Sequence, residues 1–174
     1  MVVLFLLGFT KAQCQFRQWG ELKPGPYTVG FRVAVITDST RIYSDLSKPF
    51  VEGHSYRRIP LFIWYPAEAH NGRNMKYGDY LPFLKYESLS HAEDELISQL
   101  KLGWNISPAA FARAQQEEIP AQLDAPPMKR KFPVVLHTHA SGLLVQTILA
   151  EFLASNGYIV ISYPRLGVSP LHFN

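Results

Sequence analysis

The sequence predicts an α/β fold, and three observations carry that expectation. Residues 132–167, FPVVLHTHASGLLVQTILAEFLASNGYIVISYPRLG, read as an apolar run, a small-residue loop, an amphipathic helix, a glycine stop and a second apolar run. That is one βαβ unit, which implies a parallel strand pair joined by a crossover helix. Upstream, Tyr27 to Asp38 alternates in polarity and Arg57 to Pro66 is a second strand-like run, predicting an antiparallel pair at one sheet edge. Finally, 174 residues with 47% apolar and 18% charged side chains suit one folded domain with a real core.

The chain opens on an apolar stretch, Val2 to Phe9. It is too short to span a bilayer, which takes about 20 apolar residues, so no transmembrane span is expected. It has the length of a signal-peptide core, and Thr10 and Ala12 are spaced for cleavage after Ala12. Residues 1–14 are therefore read as a signal peptide, which predicts a secreted or periplasmic protein. No Lys or Arg precedes the run, so a buried N-terminal strand in a cytoplasmic protein is the alternative. The single cysteine, Cys14, excludes an intrachain disulfide framework and a cysteine-rich zinc site.

Gln15 to Gly25 is polar and turn-rich. In the first strand Val29, Phe31, Val33 and Val35 share one face, and Thr28, Gly30, Arg32 and Ala34 the other. A turn is expected at Asp38-Ser39-Thr40 and a loop from Ser44 to Ser55. Pro66 should close the second strand, because proline cannot donate to the ladder. The pair would bring Asp38 beside Arg57 or Arg58.

Ala67 to Lys85 reads as loop anchored by Tyr77, Tyr80 and Phe83, with Tyr86 following. Ser90 and Glu93 form a capping box, Ala92, Leu96 and Leu100 give one helical stripe, and Gly103 supplies the stop. A second helix begins at Ser107-Pro108 and should end at Pro120. The two helices make residues 86–120 an insertion over the sheet, in the role of a lid or cover.

In the βαβ unit, Val134 to Leu136 is uninterrupted by polar residues, as expected of a strand buried on both faces. Leu144, Ile148 and Phe152, flanked by Leu149 and Leu153, give the helix a wide apolar stripe, and Asn156-Gly157 stops it. Tyr158 to Tyr163 is the return strand. As the last strand, it should carry an unpaired edge and promote self-association.

The loop HTHASG follows the first crossover strand, at the carboxyl end where open α/β sheets bind ligands. His137 and His139 alternate and so point the same way, which a metal site could use. His54, His70, His91 and His172 supply no further ligand spacing, so no metal is expected. The only dense basic run, Lys129 to Lys131, lacks the broad stripe and stacking aromatics of a nucleic-acid surface, and a nucleic-acid partner is excluded on that ground.

Four segments in order, LKPGPYTVGF (22–31), IPLFIWYPA (59–67), FPVVLHTHASG (132–142) and LASNGYIVISYPRLG (153–167), resemble the N-terminal part of an α/β-hydrolase of the dienelactone hydrolase and platelet-activating-factor acetylhydrolase type. The resemblance implies a partial α/β-hydrolase fold over residues 22–174, without a cofactor. It also implies a serine ester hydrolase acting on a small-molecule ester. By the same resemblance, the Ser141 backbone N–H is an oxyanion-hole donor, with His139, Ala140 and Gly142 as the site wall. A donor of this kind contributes roughly 3 kcal/mol in the transition state. The chain departs from the family in having Ala140 where the family has glycine, and in containing no G-x-S-x-G. Ser141 is flanked at two residues' distance by His139 and Leu143, which are too large for a nucleophile elbow. No catalytic residue of the triad is therefore assigned in this chain, which should be inactive alone. A different class remains open: a non-catalytic binding or accessory protein that keeps the front of the fold.

Overall fold

A computed structural model of the chain describes residues 17–42, 56–69, 72–86, 107–139 and 143–164. The expected signal peptide, the Ser90 capping box and residues Ala140 to Gly142 lie outside the described residues.

Strands β1 (Thr28–Ile42) and β2 (Tyr56–Ala67) pair antiparallel, with Phe31 opposite Trp64 and Asp38 opposite Arg57. Helix α1 (Pro108–Gln116) and the short strand β3 (Ala121–Leu123) follow. Then come β4 (Val134–His139), α2 (Leu143–Ser155) and β5 (Ile159–Pro164). The strand order is β3-β1-β2-β5-β4, with β4 parallel to β5, β5 antiparallel to β2, and β3 parallel to β1. The fold is α/β as expected, a mixed sheet in which β2 alone runs against the others.

Several sequence expectations are corrected. The strand does not stop for a turn at Asp38 but runs to Ile42, with a register shift between Asp38 and Ile42. Asp38 Oδ1 accepts from Thr40 N at 2.9 Å and Thr40 Oγ1 at 2.6 Å, so a local turn bond interrupts the ladder without ending it. Nor does Pro66 end β2. Pairing with β5 engages only Phe62 to Trp64, so Pro60 and Pro66 sit where no neighbour needs their missing N–H. The β1–β2 pair is not at the edge, because β3 flanks β1. Three residues are too few for a periodicity to announce them.

The second inserted helix ends at Gln116, not at Pro120, with Glu117 extended and its N–H bonded to Ala114 O. Its start is as expected, Ser107 accepting from Ala110 N at 3.2 Å. Residues Tyr77–Tyr86 form 3-10 turns rather than a loop, and they bury Tyr80 and Leu84.

The largest correction concerns β5. It is an interior strand, bonded on one side by β2 and on the other by β4, so the exposed sheet edge belongs to β4. Val134 and Leu136, expected to be buried on both faces, are 54% and 71% exposed. The reason is visible in the register: Val134 and Leu136 align with Ile159 and Ile161 on the face opposite α2, whereas Val135 aligns with buried Val160 and packs against the core.

Candidate active site

The site expected from sequence begins where β4 ends. Of its three apolar side chains Val135 alone packs against the core, since Val134 and Leu136 both face solvent. Its position is set instead by six register pairs with β5, from Val134–Ile159 to His139–Pro164. Because the two strands are parallel, the carboxyl end of β4 lies beside that of β5. Residues Ala140 to Gly142 bridge His139 to the start of α2, where Leu143 and Leu144 are buried in the core. The backbone of His139 is thus placed at the strand end, while Ala140, Ser141 and Gly142 lie outside the described residues.

Beneath this end is a polar trio of which the sequence singles out only His137. His137 on β4 pairs in register with Ser162 on β5, and Ser162 Oγ donates to Gln146 Oε1 on α2 at 3.2 Å. Ser162 is buried, and His137 Nδ1 and Gln146 Nε2 are buried without a hydrogen-bond partner. Unpaired buried polar atoms are costly and uncommon, so their concentration under one strand end marks the place chemically. The signal is present in sequence as Gln146, an amide in a mostly apolar helix, and Ser162, a polar residue in an apolar strand. Among the described residues, no group of three or more His, Cys, Asp or Glu side chains could hold a metal ion.

A second polar cluster lies deeper. Glu151, buried on α2, accepts from Tyr80 OH at 2.8 Å and from Trp19 Nε1 at 3.1 Å, while Tyr80 OH accepts from Trp64 Nε1 at 2.8 Å. Burial pushes the Glu151 carboxyl up to about 7, with the hydrogen bonds from Tyr80 and Trp19 opposing that rise. Burial likewise lifts the Tyr77 hydroxyl to about 12, and the Glu151 charge adds to the effect. This cluster touches the core rather than the strand end.

A cleft of about 460 Å³ opens elsewhere, between residues Gly72 to Phe83 and β3. Asn74 donates to Glu118 at 2.8 Å and accepts from Gln122 Nε2 at 3.0 Å, which orients the Gln122 amide and leaves its Oε1 buried and unpaired. β3 pairs with the start of β1, so the cleft lies at the opposite edge and opposite end of the sheet from His139.

Among the described residues no helix is long and apolar enough to cross a membrane. No family model matches the sequence, and no curated protein matches it. Among solved structures, the fold is similar to a ferulic acid esterase from Streptomyces cinnamoneus, with a TM-score of 0.51 and 19% sequence identity over 79% of this chain and 33% of that one. The chain therefore spans about a third of the length of the esterase it resembles. At that identity the likeness is one of fold: this chain has an esterase-like α/β architecture.

Proposed function

We propose that this chain is the front part of a serine ester hydrolase, in which the loop after β4 forms half of an oxyanion hole. The observation that carries the reading is the position of β5 inside β4. The crossover through α2 moves from the sheet edge inward, so a further parallel strand can join on the other side, at the free edge of β4. Because crossovers are right-handed, that strand's helix would lie on the face opposite α2. The strand order then reverses at β4, and open α/β sheets bind ligands in the crevice made by such a reversal, at the carboxyl ends of the strands. His139 ends β4 at that position, and Ala140 to Gly142 follow it in sequence. The esterase-like fold supports the same reading.

In this reading the backbone N–H of Ser141 faces the developing negative charge of a tetrahedral intermediate, and the small neighbours Ala140 and Gly142 let substrate approach the backbone. The nucleophile, acid and general base come from sequence other than these 174 residues, since no serine here sits on G-x-S-x-G. The substrate class is a small-molecule ester, export through residues 1–14 belongs to the same proposal, and no cofactor takes part.

The test is labelling with a fluorophosphonate probe together with turnover of p-nitrophenyl acetate. The isolated chain should show neither. Extending it with in-frame sequence that encodes a strand, G-x-S-x-G and a helix should confer both. Robust labelling of the 174-residue chain, lost in Ser141→Ala, would overturn the assignment of Ser141 as a backbone donor. A stop codon directly after Asn174 in the source transcript would favour the accessory-protein reading.

A further inference from the structure

Helix α2 ends on a complete Schellman cap, and the residue pair that builds it is chemically reactive. Gly157 stands at φ 91°, its N–H bonded to Ala154 O at 3.1 Å, and the Tyr158 N–H reaches back to Leu153 O at 3.1 Å. Those two bonds define the motif, and its left-handed position is ordinarily glycine. The residue before it, Asn156, is exposed, and its Nδ2 donates to Phe152 O at 2.8 Å and to Ser155 Oγ at 3.3 Å. An asparagine followed by glycine is prone to cyclise, because a glycine nitrogen reaches the side-chain amide with no Cβ in the way.

We propose that Asn156-Gly157 is a self-modification site, held unreactive by the cap and converted irreversibly when the cap opens. In the reaction the Gly157 nitrogen gives up its proton and attacks Asn156 Cγ. The new N–C bond closes a succinimide ring, and Nδ2 leaves as ammonia, carrying that proton. Water then opens the ring at either carbonyl. The product is an aspartate at position 156 or an isoaspartyl linkage, in which the main chain runs through the side-chain carbon. Water is the only co-reactant.

The fold withholds geometry here, not solvent. Asn156 is exposed, so water and base reach its amide. The attacking N–H is engaged by Ala154 O and the leaving amide by Phe152 O, while Asn156 N is held by Leu153 O at 3.0 Å and Phe152 O at 3.2 Å. Attack requires these bonds to break together, which is an opening of the cap. A strap from the other end of the chain opposes that opening, since Gly25 N and Tyr27 N are bonded to Ser155 Oγ and Ser155 O at 3.0 and 3.1 Å. The strap lies close: a Cβ on Gly25 would be 2.1 Å from Ser155 O and 2.8 Å from Asn156 N. Conversion also prevents the cap from re-forming. An aspartate lacks the Nδ2 donor to Phe152 O and sets a negative charge at the negative end of α2. An isoaspartyl linkage lengthens the backbone between the helix and Gly157, which spoils the spacing of both Schellman bonds. Ile159 follows two residues on and opens the register with Val134, so the change falls where β5 enters the sheet.

The test is peptide mapping by mass spectrometry of the 174-residue chain, incubated at mildly alkaline pH both native and unfolded in guanidinium chloride. Asn71-Gly72, the other such pair in the sequence, serves as the internal standard for the unfolded rate. Unfolded, position 156 should convert as fast as position 71. Native, it should convert at least about tenfold more slowly, the ratio reporting how seldom the cap opens. Gly25→Ala, which forces the strap off Ser155, should raise the native rate several-fold and leave the unfolded rate unchanged. Equal native and unfolded rates at position 156 overturn the proposal, and that comparison needs no variant. A Gly25→Ala chain that is folded by circular dichroism and converts no faster than wild type overturns it too. Asn156→Asp should lower the midpoint of urea denaturation, and an unchanged midpoint would show that the cap re-forms after conversion, against the one-way behaviour proposed.

Discussion

The two faces of this sheet are built from nearly the same kinds of residue and end in opposite states. On the face under α2, Val29, Phe31, Phe62, Trp64 and Val160 interlock with Tyr80, Leu84, Leu144 and Ala150, and Trp64 is 0% exposed. The opposite face carries Ile36, Ile63, Ile161, Leu136 and Val134 across four strands. There Leu136 is 71% and Ile36 48% exposed, and a small cluster around Tyr65, Ala67 and Ala125 is the main packing. Hydrophobicity alone therefore does not say which face is core. A covering helix does, and α2 covers one side only. A parallel pair open on one face is unusual, since such strands are ordinarily covered on both.

The sharpest way to break this contrast is to truncate one large side chain on each face. Trp64→Ala removes the centre of the covered face and the donor to Tyr80, and should cost about 3–5 kcal/mol in urea denaturation. Leu136→Ala should stay within about 0.5 kcal/mol, because an exposed side chain leaves no cavity. Similar losses at both sites would mean that the second face is packed after all.

The buried carboxyl gives the next largest effect. The Glu151 pKa is raised on folding from 4.5 to about 7, so its stabilising contribution is complete below pH 4.5 and is lost as pH rises through about 7. That gap corresponds to on the order of 3 kcal/mol. Denaturation midpoints at about pH 5.5 and about pH 8.5 should therefore differ in wild type far more than in Glu151→Gln. An equal difference in both proteins would show that the pH dependence does not come from Glu151.

Much of the covered face is legible in sequence. The alternation of Val29, Phe31 and Val33 and the strand around Trp64 point to the pairing, and the helix stripe with Asn156-Gly157 points to the crossover. What is not legible depends on distance in sequence. β3 is three residues long and acquires its identity only by pairing with β1, far earlier in the chain. The interior place of β5 depends on the chain turning back toward β2, and a strand buried between neighbours and one at an edge carry the same apolar letters. Glu151 escapes a sequence reading because a lone charge in a helix looks like a solvated position until its partners, 71 and 132 residues away, are known. The loop at 139–142 stands out by its small residues, whereas the trio of His137, Gln146 and Ser162 beneath it requires the register.

The open face is not undefended at every point. Gly30 and Tyr65 are opposite in register, and the Tyr65 ring lies over Gly30, where a Cβ would come within 2.3 Å of it. Tyr65 OH donates to Ala125 O at 2.7 Å, and the Arg32 guanidinium sits 5.7 Å from the ring centroid. An aromatic ring filling the space above a strand glycine is a known way to cover a sheet where no helix does. Gly30→Ala should displace the ring and cost about 1–3 kcal/mol, measured by thermal or urea unfolding. A neutral result would show that Tyr65 can move aside without loss, and hence that it is not packed.

Leu136 tests what the open face does between molecules. The two sheet edges differ as the two faces do. β3 is short and is followed by Asp124, whose backbone turns to φ 52° and whose carboxylate meets Arg32 at 3.1 Å, so that edge is guarded by brevity, bend and charge. β4 is six residues of VVLHTH with no Lys, Asp, Glu or Pro, its outer backbone unpaired by any described strand. Self-association should therefore run through β4. Leu136→Lys should lower the apparent mass in light scattering while shifting stability by no more than about 0.5 kcal/mol. A lysine on an edge strand sets like charges against each other in any self-pairing and is tolerated where the side chain already faces solvent. A wild-type chain that is monomeric at high concentration would show instead that an unguarded apolar edge of this length is not sufficient for association.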